Sequence, residues 1–135
     1  MMLRLFGASL EIGVLSACSS SLVEKAEGMK PGDDRLFSSL HAEYIALGKA
    51  ENDESDFLDA DHFSSKAITT GGGKAVGSDP VESHKLSTGT AVAQRAAEKR
   101  ISKALKGGTA EYAPDQMVKA QAIYGGWLQE QEKNT

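Results

Sequence analysis

The strongest constraint on this chain is a run of apolar side chains at helical rather than strand spacing. Leu36, Leu40, Tyr44 and Leu47 fall at i, i+4, i+8 and i+11, which places them on one face of a helix from about Asp34 to Ala50. Pro31-Gly32 breaks any helix ahead of it, and Asp33 or Asp34 can cap its start. The polar stretch Glu51-Asn52-Asp53-Glu54 then reads as a turn. Ser55 or Asp53 caps a second helix from about Asp56 to Thr69, with Phe57, Ala60, Ser64, Ala67 and Ile68 on one face. The small residues at 60, 64 and 67 let the two helices approach closely. Aromatic residues make up only 6% of the chain, so the core must rest on Leu, Ile, Val, Met and many alanines. An alanine-rich core of this kind requires close helix packing.

Thr70-Gly71-Gly72-Gly73 ends this hairpin, and the stretch to about Ser87 holds Gly77, Pro80 and few apolar residues. A loop of that length in a small domain is expected to be mobile or functional. Gly71-Gly72-Gly73-Lys74 lacks the spacing of a phosphate-binding loop, and Ala75 stands where the metal-ligating hydroxyl would be. A third helix is predicted from about Thr90 to Lys106, with Ala93, Ala97, Ile101, Ala104 and Leu105 inward and Gly107-Gly108 as its C-cap. Lys103 and Lys106 complement its dipole. Pro114 opens a fourth helix, where its missing N–H costs nothing, and Met117, Ala120, Tyr124, Trp127 and Leu128 form its apolar face. The polar end, Gln129 to Thr135, is expected to fray. Gly125-Gly126 lies inside this helix, and each glycine costs about 1 kcal/mol relative to alanine. Either the pair admits another backbone or a kink, or it is a tolerated weak point. The expectation is an all-α fold, with two antiparallel hairpins forming a four-helix domain over residues 35–135.

The N-terminus carries a different message. Arg4 precedes a mostly apolar run from Leu5 to Leu15, followed by Leu15-Ser16-Ala17-Cys18 and then three serines. This order is that of a secretory signal. The run is shorter than the roughly 20 apolar residues a membrane span needs. A cysteine directly after small residues resembles the lipobox of bacterial lipoproteins. The resemblance implies a signal peptide over residues 1–17, recognition and cleavage at Leu15, Ser16 and Ala17, and a diacylglycerol-bearing Cys18 as the first mature residue. It also implies that residues 18–34 are the lipidated cysteine and a flexible tether. Ser19 in place of Asp after the cysteine implies transfer to the outer membrane. Glu11 is out of place in the apolar run. Removing residues 1–17 leaves 118 residues, and because Arg4 and Glu11 cancel, the formal charge of −4 is unchanged. With its one cysteine committed to lipid, the chain can form no intrachain disulfide. The competing reading is a cytosolic helical adaptor with no anchor, in which Cys18 is simply buried in a first helix.

Two further resemblances bear on the domain. Tyr44, Leu47, Gly48, Phe57, Ala60 and Ala67 sit at spacings similar to those of a tetratricopeptide hairpin, with Ser55 where that motif has glycine and its terminal proline missing. Ala42-Glu43-Tyr44-Ile45-Ala46-Leu47-Gly48-Lys49, then Asp59 to Ala67, Lys119-Ala120-Gln121-Ala122 and Trp127 to Glu132 follow in order along the chain. Together they resemble the N-terminal region of alphaproteobacterial outer-membrane lipoproteins related to the OmpA family. The resemblance implies a periplasm-facing structural or interaction module. In such proteins Asp-Cys commonly precedes the tryptophan, where this chain has Gly125-Gly126. They also commonly continue into a peptidoglycan-binding domain, which has no counterpart in this sequence.

Little in the sequence points to catalysis. There is no basic tract, so no nucleic-acid footprint. His41, His62 and His84 are far apart; His41 and His62 could face one another across the hairpin near Asp59 and Asp61, but without cysteines this is a poor zinc pattern. Asp59 and Asp61, two apart on a helix, point to different faces. The acidic turn from Glu51 to Asp56 lacks the glycine and ligand spacing of a calcium loop. No serine sits in a nucleophile elbow. The reading is therefore a non-enzyme with no cofactor and no metal, binding membrane lipid through Cys18 and an envelope protein through its surface. That surface would be the concave face of the first hairpin, with Tyr44, Tyr124 and Trp127 as contact residues if they are not core. A small hydrolase or metal-dependent enzyme built on Asp61 and His62 is the remaining rival.

Overall fold

In the computed structural model, which describes residues 21–135, every regular element is helical. Six α-helices run α1 (Ser21–Glu27), α2 (Arg35–Asp53), α3 (Phe57–Gly71), α4 (Thr88–Lys106), α5 (Thr109–Tyr112) and α6 (Pro114–Lys133), with one 3₁₀ turn at Val81–Ser83. The expected all-α class and all four long helices are present; α1 and α5 are additional.

Local chemistry explains the boundaries. Asp34 caps α2 by accepting from the Phe37 amide at 3.0 Å, as one of the two expected residues. For α3 the cap is Asp56, accepting from the Asp59 amide at 3.2 Å, rather than Ser55 or Asp53. Ser55 instead turns the chain, with φ +66°. That left-handed conformation is the one glycine adopts without strain, so the serine occupies the glycine position of the hairpin at a steric cost. Ser87 caps α4, Gly107 ends it, and Pro114 opens α6.

α2 and α3 pack as an antiparallel pair with almost no gap. A Cβ on Gly48 would lie 2.6 Å from Ser64 Oγ and 3.2 Å from the Ala60 carbonyl oxygen, so only glycine fits there. α6 lies across α2 and also packs on α4, while α1 covers α3. Two apolar clusters result. One joins Ala26, Leu40, Tyr44, Phe63, Ala67 and Val118. The other joins Val81, Ala91, Ile101, Met117, Tyr124 and Leu128. The adjacent residues Met117 and Val118 thus face different clusters, and α6 is the wall between them.

Three expectations are corrected, and one loop gains a definite placement. Residues 21–27 are not a flexible tether: they form α1, with Val23 and Ala26 buried, because two apolar residues three apart give even this short segment a face to bury. The 70–87 loop is packed down, with Val81 and Asp79 buried. Ala93 and Ala120 face solvent rather than the core. The C-terminus does not fray after Gln129; α6 continues to Lys133, which has partners of its own.

Candidate functional site

The most organised polar site is the clamp that holds the 70–87 loop. Asp79 enters the bundle from this loop and accepts from Lys66 Nζ at 2.8 Å and His62 Nε2 at 3.1 Å, both on α3. Lys66 Nζ also lies 5.1 Å from the centre of the Tyr44 ring. Close by, the Gln121 amide donates to the Val76 carbonyl at 2.6 Å and to the Tyr44 hydroxyl at 3.0 Å. Two helices, α3 and α6, therefore pin one loop at two points, with Tyr44 of α2 bracing Gln121. Gly125 of α6 faces the loop, and a Cβ there would make ordinary contacts, 3.8 Å from the Asp79 carboxylate and 3.5 Å from Phe63. At Gly126 a Cβ would meet Leu47 at 3.3 Å, tighter than ordinary contact. Only at Gly126 does the missing side chain ease a close approach, and α6 passes through the pair unbroken.

Burial raises the Asp79 carboxyl, but the His62 hydrogen bond and the Lys66 charge outweigh it and hold the pKa at about 2. A depressed carboxyl contributes stability that is complete above the unfolded value, near 4, and is lost as pH falls toward 2. Urea unfolding between pH 5 and pH 2 should therefore show a loss of about 2 kcal/mol that is absent in Asp79→Asn. Equal acid sensitivity in the two proteins would rule this clamp out as the cause. Chemically, the arrangement orients an imidazole and keeps a carboxylate ionised. Through that pair α3 holds the loop.

A second polar site closes the far end of the hairpin. Lys133 Nζ lies 2.6 Å from Glu51, 3.2 Å from Asp56, 3.4 Å from Glu130, 3.6 Å from Asp59 and 3.9 Å from Glu54. Burial works against the ammonium, but hydrogen bonds to Glu51 and Asp56 hold its pKa well above the usual lysine value. Glu51 and Asp59 are both raised, first by burial and then by neighbouring carboxylates, even though Lys133 pulls them down. The two directions are compatible, because one positive charge cannot satisfy five negative ones. The acidic turn thus encloses a cation after all, and that cation is the chain's own lysine.

The residues singled out from the sequence are dispersed. Cys18, Leu15, Ser16 and Ala17 lie outside the described residues. Tyr44 is fully buried and Tyr124 is 3% exposed, so neither presents a contact surface; each belongs to one of the two apolar clusters. Trp127 is 41% exposed and stands beside Ile123, which is 69% exposed. The histidines do not converge. His41 is buried against the Ala67 carbonyl at 2.8 Å, His62 holds Asp79, and His84 meets Glu132 at 2.8 Å. His41 and His62 therefore form no ligand pair.

Two features escaped the sequence reading. The Lys133 cage joins residues about 80 apart, and no local pattern signals it. The outward face of α4, by contrast, could have been found from helical phase alone: Arg95, Lys99, Arg100, Lys103 and Lys106 are all exposed.

Together these features define an all-helical bundle with a clamped loop and an acidic end bridged by the chain's own lysine. No family model, curated protein or solved structure matches the chain.

Proposed function

We propose that the protein is a lipid-anchored lipoprotein of the outer membrane, held through Cys18, whose helical domain serves as a structural or protein-interaction module on the periplasmic side. The observation that carries the reading is the sequence Leu15-Ser16-Ala17-Cys18 behind a short apolar run. Among the described residues no helix is long and apolar enough to cross a membrane, so a lipid on Cys18 is the attachment this reading requires. α1 adds a consequence. The first described residues already belong to α1, which is packed against α3, so at most residues 19 and 20 lie between the cysteine and the folded body. Two extended residues reach roughly 7 Å. The domain would therefore sit directly on the bilayer instead of standing away from it.

The test is the intact mass of protein extracted from expressing Gram-negative cells, wild type beside Cys18→Ala. The expected result is a chain beginning at residue 18 with added acyl mass, lost in the variant. An unmodified chain beginning at Met1 in the soluble fraction would instead support the cytosolic helical adaptor.

A further inference from the structure

We propose that the outward face of α4 is a docking surface for an anionic phospholipid bilayer. At 100° per residue, Arg95, Lys106, Lys99, Lys103 and Arg100 spread over about 140° of the helix. The exposed Val92 and Ala96 lie within the same arc. No carboxylate falls inside it. Glu98 lies at its edge, and Glu82 reaches over from the 3₁₀ turn to pair with Arg95 at 2.9 Å. The other four cations, Lys99, Arg100, Lys103 and Lys106, have no acidic partner among the described residues. Lysines without an acidic partner also occur elsewhere, among them Lys30, Lys74 and Lys119, but only on α4 do four such cations share one face. With five cations and one carboxylate, α4 is strongly basic in a chain whose formal charge is −4.

The form of the face favours a bilayer over other polyanions. Arg95, Lys99, Lys103 and Lys106 line a wide, open hollow that also holds Glu82 and Glu98, so several headgroup phosphates can be met at once. It presents no aromatic ring on which bases could stack. The choice of a bilayer also rests on the anchor reading. A domain held by two residues stays within about a Debye length of the headgroups, where unpaired cations act at full strength. With a radius of gyration of about 13 Å, it need only roll to bring a side face down.

Flotation with vesicles tests this without the anchor. Full-length Cys18→Ala protein should float with vesicles of phosphatidylcholine and phosphatidylglycerol at low salt, and not with phosphatidylcholine alone. Lys99→Glu/Lys103→Glu/Lys106→Glu should lower the partition coefficient by at least about tenfold. Lys30→Glu/Lys74→Glu/Lys119→Glu changes the net charge equally at exposed positions elsewhere and should cost far less. Circular dichroism should show both triple variants folded. No binding to the mixed vesicles would overturn the proposal, as would equal losses in the two triple variants. Low-salt dimerisation abolished by the α4 variant would overturn it in favour of a second copy as the occupant. Because the protein used here has no Cys18, failure of this test and failure of the mass experiment are read separately.

Discussion

Lys133→Met should destabilise the protein by about 1–2 kcal/mol at neutral pH, less than for a fully buried pair because Lys133 is itself exposed, read as a shift in the urea midpoint. Removing the ammonium leaves Glu51, which is buried, and Asp59, which is mostly buried, facing Asp56, Glu54 and Glu130 without compensation. Breaking such a pair costs far more than the pair itself contributes, because an unpaired charge remains in a poorly solvated place. The loss should shrink as pH falls. Glu51 and Asp59 already have raised pKa values, and without Lys133 they rise further, so mild acid neutralises them. A folded-state pKa raised for an acid gives stability that is present at low pH and lost as pH rises through it. Lys133→Met/Glu51→Gln should recover a large part of the loss. A cost under about 0.5 kcal/mol with no pH dependence would mean that the cage behaves as an ordinary exposed ion pair.

Phe63→Ala should cost about 3–5 kcal/mol, a large fraction of the 5–15 kcal/mol that holds a typical domain together. Phe63 is fully buried and stacks with Tyr44 at a centroid distance of 6.4 Å. Its other edge meets His62 and the backbone of α6 at Gly125. The neighbours are helices fixed on several sides, so the cavity cannot collapse cheaply. Thermal unfolding with Phe63→Leu as the milder comparison checks this. If Phe63→Ala costs no more than Phe63→Leu, α6 is not seated against the hairpin as described.

These two residues also show how far the sequence could be read. Helical spacing placed α2, α3, α4 and α6 within a few residues, because each long helix buries one periodic stripe. The stripe on α3 was misplaced by part of a turn: it was centred near Phe57, which is 40% exposed, and omitted Phe63. A single-face reading assumes one partner. α3 has α2 on one side and is also packed by α1 and by α6 at Gly125, so its buried face is wider and rotated. Ala120 and Ala93 failed for the converse reason: alanine is small enough to occupy either face, and its spacing carries little orientation. Buried polar residues were the least legible. No periodic pattern marks Gln121 or Asp79 as core, yet both are buried, Gln121 bonding the loop at Val76 and Asp79 bonding Lys66 of α3. Only residues close in sequence leave a periodic trace, and the clamp and the cage are built from residues far apart.

The position of α6 between the two apolar clusters has a consequence for the order in which the molecule can be completed. α2 and α3 are local in sequence and can pair within microseconds of emerging. Phe63 and Tyr44 then remain half covered until α6 arrives about sixty residues later. At 5–20 residues per second that interval is roughly 3–12 s. The second cluster waits for the same helix, since Met117, Tyr124 and Leu128 supply half of its members. Both halves therefore finish together, in one late step governed by synthesis or export rather than by the search for contacts. Until that step the nascent hairpin is a sticky, protease-sensitive species whose survival depends on whatever shelters it.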